Sequence, residues 1–135
     1  DRRTAARCEE LRAAGAEPGI RARTGLLLDP YFSATKIEWL LRHVPGLAQR
    51  EARGEVLFAT VDALIVGHLA GAGRWASDPT NASRTLLFDI DRRAYDPELC
   101  GRFGVSPGSL PEIRPSAGDF GRLSRPYAAG REVPI

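Results

Sequence analysis

Apolar residues recur along the chain in short bursts set off by glycine and proline, and the period changes from one burst to the next. Over residues 2–14, Cys8 and Leu11 share one face and Gly15 follows, which predicts a helix with its stop. Gly15 to Gly19, with Pro18 inside, reads as a loop. Leu26-Leu27-Leu28 reads as a short buried stretch closed by Asp29-Pro30, where the proline forces Asp29 into extended backbone. The strongest helical signal comes next. Ile37, Leu40, Leu41 and Val44 fall at i, i+3, i+4 and i+7 and predict one buried stripe. Thr35 and Glu38 have capping-box spacing at its start, and Pro45-Gly46 ends it. Leu47 to Arg53 reads as a charged helix closed by Gly54.

Val56-Leu57-Phe58 predicts a brief extended segment. Thr60 is the expected cap of a further helix, with Asp62 in its first turn to complement the dipole. Val61, Leu64, Ile65 and Leu69 are its expected inner face, with Gly71 its end and Gly71–Gly73 a tight loop. From Arg84 to Asp91 the period drops to two: Leu86, Phe88 and Ile90 alternate with Leu87, Asp89 and Asp91, predicting a half-exposed strand. Asp96-Pro97-Glu98 is a helix start with proline at the first helical position, and Gly104 ends that helix. Prolines at 107, 111, 115, 126 and 134 leave only short strands and loops beyond Val105. Mixed helices and strands of this kind predict part of an α/β or α+β domain.

Composition narrows the picture. The chain has 135 residues and is 43% apolar, which fits one domain and excludes a disordered tail. Its apolar runs are too short to cross a bilayer, and nothing at the start reads as a leader peptide. Methionine is absent, and the chain opens on Asp1-Arg2-Arg3 and closes on Val133-Pro134-Ile135, so it reads as an internal fragment. Net charge is +2, and Lys36 is the single lysine among 19 basic residues. The arginines are interspersed with acids, so no phosphate-tracking surface and no nucleic-acid partner are expected. Cys8 and Cys100 lack metal-type spacing and are expected to be buried thiols of a cytoplasmic protein.

Chemistry-bearing patterns are few. His43 and His68 have no carboxylate or cysteine at ligand spacing, so neither is expected to bind metal or move protons. Asn81-Ala82-Ser83 matches a glycosylation acceptor, a pattern common by chance. No Walker-type loop or dinucleotide fingerprint is present. One stretch differs, from Asp29 to His43. It puts Tyr31 and Phe32 on a loop directly before a helix, with Lys36 in the first turn where the dipole disfavours a cation. A specific partner or exposure has to compensate that charge. Two readings of the aromatics stand: a staple at the start of the helix, with Trp39 in the core, or a tyrosine presenting ring and hydroxyl to a cleft.

The stretch Tyr31-Phe32-Ser33-Ala34-Thr35-Lys36-Ile37-Glu38-Trp39-Leu40 resembles the first signature of the FGGY carbohydrate kinases, aromatic-x-Ser-x-x-Lys-aliphatic-x-Trp-aliphatic. Four further stretches agree in order: Arg2-Arg3-Thr4, Gly54 to Asp62, Thr80 to Phe88, and Leu110 to Ser116. The Asp-Pro-Tyr-Phe-Ser and Thr-Asn-Ala-Ser-Arg-Thr forms are most similar to the glycerol-phosphorylating branch. The resemblance implies an α/β fold, part of an actin-like (ribonuclease H-like) N-terminal domain. Residues 1–135 are then an incomplete domain lacking both flanks. It implies an enzyme that uses ATP and Mg²⁺ to convert glycerol to sn-glycerol 3-phosphate, cytoplasmic and homo-oligomeric, without membrane insertion. A kinase of another polyol or ketose and a non-catalytic relative are the alternatives. Of the glycerol contacts it implies, only Tyr31 falls in this chain; an Arg-Glu pair and a tryptophan are expected before Asp1, and the catalytic aspartate after Ile135. The chain alone is therefore expected to be inactive. Lys36 and Trp39 are expected to anchor the helix behind Tyr31, and Asp78, Asn81 and Arg84 to form a polar network.

Overall fold

A computed structural model describes residues 1–70, 75–123 and 125–135. In chain order the elements are α1 (Ala5–Ala13), α2 (Glu17–Thr24), α3 (Ser33–His43), α4 (Leu47–Ala52), α5 (Val61–Leu69), β1 (Ala76–Ser77), α6 (Pro79–Ala82), β2 (Phe88–Asp89), β3 (Ala94–Tyr95), α7 (Pro97–Arg102), β4 (Glu112–Ile113) and α8 (Arg125–Ala128). A 3₁₀ turn spans Pro107–Ser109. β1 pairs with β4 in parallel, Ala76 opposite Glu112, and β2 pairs with β3 antiparallel, Phe88 opposite Tyr95. Leu11, Ile20, Leu28, Phe32, Leu99 and Phe103 lie in the main apolar cluster, which joins α1, α2, the start of α3 and α7. Cys8 and Cys100 are both free thiols inside it.

The segment expected as a loop with Pro18 is helix α2. Proline is tolerated in a first helical turn because the N–H it lacks would have no partner there. Glu17, one residue earlier, accepts the Leu28 N–H at 2.8 Å, and Arg12 donates to the Leu28 carbonyl at 2.6 Å. These bonds turn Leu28 inward, while Leu27 is exposed and Leu26 half-buried, so only one of the three leucines is core.

Helix α3 begins two residues before the expected cap. Phe32 takes the N-cap position without a side-chain bond, and the capping box does not form. Thr35 lies inside the helix and shares a hydrogen bond with the Thr4 hydroxyl at 2.9 Å. Glu38 is buried and accepts two Arg7 nitrogens at 3.0 Å and Arg42 at 2.6 Å. The buried face is thus Ala34, Thr35, Ile37 and Glu38; Leu40 and Leu41 are half-buried and Val44 is exposed. A 3.6-residue stripe locates an apolar face but not how far along the helix it is covered.

Helix α5 departs further. Ala63 and Gly67 are buried, whereas Val61, Leu64 and Ile65 are 72%, 54% and 51% exposed. The expected inner face therefore points outward, and the helix is seated by its smallest residues. Thr60 occupies the N-cap position but its hydroxyl caps nothing. The expected loop at Gly71–Gly73 lies outside the described residues. The alternating run after Arg84 gives a strand of two residues only. Leu86 adopts φ 64°, which breaks the extended backbone, so Leu86 and Leu87 are both buried and Ile90 is exposed. A buried leucine in the left-handed region costs roughly 1–3 kcal/mol and persists where packing over-determines it. Asp89 then accepts the Asp91 and Arg92 N–H groups at 2.9 Å to fold the chain back into β3.

Two expectations hold closely. Asp96 caps α7 by accepting the N–H groups of Glu98 and Leu99 at 2.8 and 2.9 Å, with Pro97 at the first position and Gly104 at φ 68° beyond the end. After Val105 the elements are short. Glu51, buried on α4, braces this region by accepting the Ser106 N–H and the Ser109 hydroxyl at 2.8 and 2.7 Å. At the end, Leu123 and Ile135 donate to Val133 and Gly121 at 2.9 and 2.8 Å, so 120–123 and 133–135 run antiparallel.

Candidate functional site

The aromatic loop is built from Leu28 outward. Leu28 is buried, Pro30 keeps Asp29 out of helical backbone, and the Asp29 carboxylate accepts the Tyr31 N–H at 2.7 Å. Phe32 turns inward, 8% exposed, with its ring edge-on to Tyr31 at 5.3 Å and beneath the Arg84 guanidinium at 4.9 Å. Ala34 donates its N–H to the Thr85 carbonyl at 2.9 Å, tying the start of α3 to the turn after α6. Tyr31 is left 71% exposed. The two readings of the pair thus divide between its members: Phe32 is the staple, and Tyr31 presents its ring and hydroxyl outward.

Lys36 meets the charge conflict noted in the sequence. Its Nζ donates to the Tyr31 carbonyl at 2.6 Å and the Pro30 carbonyl at 3.1 Å, so the cation faces two carbonyl dipoles rather than free helical N–H groups. Trp39 is not in the core. It is half-buried, stacks on His43 at 4.3 Å and lies 4.6 Å from the Arg3 guanidinium. Beside α3, an apolar cleft of about 440 Å³ is walled by Lys36, Ile37, Leu40, Leu57, Phe58 and Tyr95. Burial pushes the Tyr95 phenol well above its ordinary range, which keeps it neutral.

A second polar cluster lies at α6. Asp78 caps this turn, accepting the Asn81 backbone and side-chain N–H groups at 3.0 Å, the Thr80 hydroxyl at 2.8 Å, and the Ser116 hydroxyl. Burial works to raise its pKa, but the donors from Ser116, Asn81 and Thr80 outweigh burial and hold the carboxyl below the usual carboxylate range. Arg84, expected in this network, lies over Phe32 instead. Asp62 accepts from the Ser77 hydroxyl at 2.5 Å through one oxygen, and its other oxygen is buried without a partner among the described residues. So Asp62 ties α5 to β1 beyond its expected dipole role. Asp62, Asp78, Asn81, Ser116 and Ile135 border a hollow of about 150 Å³. Tyr31 lines neither space.

His43 bonds the Trp39 carbonyl at 2.8 Å, and His68 bonds the Tyr127 hydroxyl at 2.7 Å. Burial pushes the Cys8 thiol up and the Cys100 thiol up to about 11, with the Asp96 charge adding to the latter. Neither is a reactive thiolate near neutral pH. Sequence reasoning put Glu38 in a capping box and gave Glu51 no role; both carboxylates are buried, Glu38 against Arg7, 31 residues away, and Arg42, four away, and Glu51 against Ser106 and Ser109, 55 and 58 residues away. It flagged the Lys36 conflict without identifying the acceptors.

Known proteins match this arrangement over its whole length. A relative from Thermus brockianus named glycerol kinase is 56% identical over all 135 residues, and the one from Cereibacter sphaeroides is 53% identical. The chain spans 27% of the length of each. Among solved structures, Plasmodium falciparum glycerol kinase with ADP superposes over the whole chain with a TM-score of 0.93 at 31% identity, again over 27% of its own length. A xylulose kinase from Rhodospirillum rubrum superposes with a TM-score of 0.83 at 21% identity and shares the actin-like α/β fold. The model of the FGGY family of carbohydrate kinases, N-terminal domain, matches residues 1–135, and the chain belongs to that family.

Proposed function

We propose that the complete protein containing this chain is an ATP-dependent glycerol kinase yielding sn-glycerol 3-phosphate, with Tyr31 as part of its glycerol site. The observation that carries this reading is the likeness of 50–56% over the whole chain to proteins named glycerol kinase. Kinases named for xylulose or gluconate share the fold at 18–26% identity. Tyr31 supports it from the physical side. Glycerol is small and uncharged, so binding it takes directed hydrogen bonds plus an apolar wall for its carbon edge. An exposed phenol on a braced loop supplies one of each.

Phosphoryl transfer needs an in-line hydroxyl, a carboxylate to take its proton, and Mg²⁺ at the phosphates. In this reading the Mg²⁺ site, the nucleotide loop and the proton acceptor come from sequence outside the chain, residues 1–135 are an incomplete domain, and the chain alone has no kinase activity. The same reading makes the complete protein a cytoplasmic homo-oligomer, which light scattering and cell fractionation check.

The test is ADP release by the complete protein with glycerol, xylulose, gluconate and ribulose as acceptors. Glycerol is expected to give the highest kcat/KM, and a ketose in first place overturns the assignment. Tyr31→Phe removes a hydrogen bond and Tyr31→Ala removes the wall too, a loss of about 1–3 kcal/mol in transition-state or ground-state binding. Unchanged glycerol kinetics in both variants dismiss Tyr31 from the site.

A further inference from the structure

We propose that Lys36 is a positioning residue for the glycerol site, acting through Tyr31. The inference rests on the reading of Tyr31 given above. The Tyr31 peptide is gripped at both ends. Its N–H is held by the Asp29 carboxylate at 2.7 Å and its carbonyl by the Lys36 ammonium at 2.6 Å, the same Nζ also reaching Pro30. No backbone N–H among the described residues donates to the Pro30 or Tyr31 carbonyl, so Lys36 supplies the bonds that the helix does not. Hydrogen bonds from a charged donor are the stronger kind, and this one is placed where the helix dipole otherwise opposes a cation. The next residue is fixed as well, since Phe32 is buried beneath Arg84.

With its peptide held, Tyr31 keeps only side-chain torsions, and its ring leaves the backbone in one direction. A contact ordered before the ligand arrives loses less freedom on binding, so the clamp favours affinity without touching the ligand. Releasing it lets the Tyr31 carbonyl and ring reorient while the helix, seated through Ala34, Ile37 and Glu38, remains.

The test uses the complete protein and four variants: Lys36→Met, Lys36→Arg, Tyr31→Ala and the double Lys36→Met/Tyr31→Ala. Lys36→Met is expected to raise the glycerol KM about tenfold while the ATP KM and kcat at saturating glycerol stay within about twofold. Lys36→Arg, which keeps charge and donors, is expected to recover most of that loss. In the Tyr31→Ala background the Lys36 change is expected to add less than about twofold, because its target is gone. Additive effects, or equal rises in the KM of glycerol and ATP, overturn the proposal. So does an unchanged KM in Lys36→Met when Tyr31→Ala is impaired, and that outcome leaves the role of Tyr31 intact. Unchanged kinetics in Tyr31→Ala itself refute the reading of Tyr31 and the clamp with it. Lys36→Gln replaces Lys36→Met if the latter does not fold, and failure of both assigns Lys36 to stability and overturns the proposal.

Discussion

Asp78 shows what a single carboxylate contributes at the residue scale. Its two oxygens collect donors from Thr80, Asn81 and Ser116, joining α6 to a segment 38 residues further on. Burial opposes the charge, yet the donors hold the folded pKa below the unfolded value. The stability this contributes is therefore present above the unfolded pKa, about 3.9, and is lost as pH falls through the lower folded value. Urea unfolding of the chain and of Asp78→Asn should show wild type more stable near neutrality, with the gap closing below about pH 4. A gap independent of pH refutes the charge-based account. The Asp78 turn was legible, because Asp-Pro-x-Asn is a local signal, whereas the aromatics before α3 left a staple and a cleft reading open and only the resemblance proposed Tyr31 for a site. The burial of Glu51 was not legible, since its partners are 55 and 58 residues away, and Glu38 was read as a cap because its main partner Arg7 is 31 residues distant.

Among the elements, α5 was found in the sequence but turned the wrong way. Its apolar residues are larger on the exposed side, and periodicity ranks faces by hydrophobicity rather than by fit. What seats the helix is Gly67, because an ideal Cβ there would come within 2.4 Å of the Trp75 ring. Alanine raises intrinsic helix propensity by about 1 kcal/mol, so a free-standing helix would gain from Gly67→Ala. In this protein the ring must move away, and such overpacking costs typically 1–3 kcal/mol. The clash is expected to win, lowering the melting temperature and shifting Trp75 fluorescence; a variant as stable as wild type shows that the indole slides aside freely. By contrast, the start of α7 was legible to the residue and its end to within one, since the Asp96 cap, Pro97 and Gly104 act within one short segment. The strand after Arg84 failed because its alternation is interrupted by the backbone at Leu86, and no pattern of side-chain polarity encodes a positive φ.

For the whole molecule, mixed helical and extended patterns narrowed the fold to α/β or α+β, while the α/β class and the family followed from the resemblance of five ordered stretches. The core lies between α1, α2, α3 and α7, and α5 contributes no large side chain to the main cluster. Val61, Leu64 and Ile65 consequently form an apolar face beside α5's buried seam, each more than half exposed. Monomeric proteins rarely leave such residues grouped on one helix face, and each exposed aliphatic group gains by leaving water. The isolated chain, at net charge +2, has little repulsion to keep copies apart. It is therefore expected to self-associate at micromolar concentration, as sedimentation velocity will show. Leu64→Lys with Ile65→Lys should restore a monomer without changing the far-UV circular dichroism, because both side chains already stand in solvent and lysine is a good helix former. A wild-type chain that stays monomeric, or a double variant that associates equally, means that this face does not drive association.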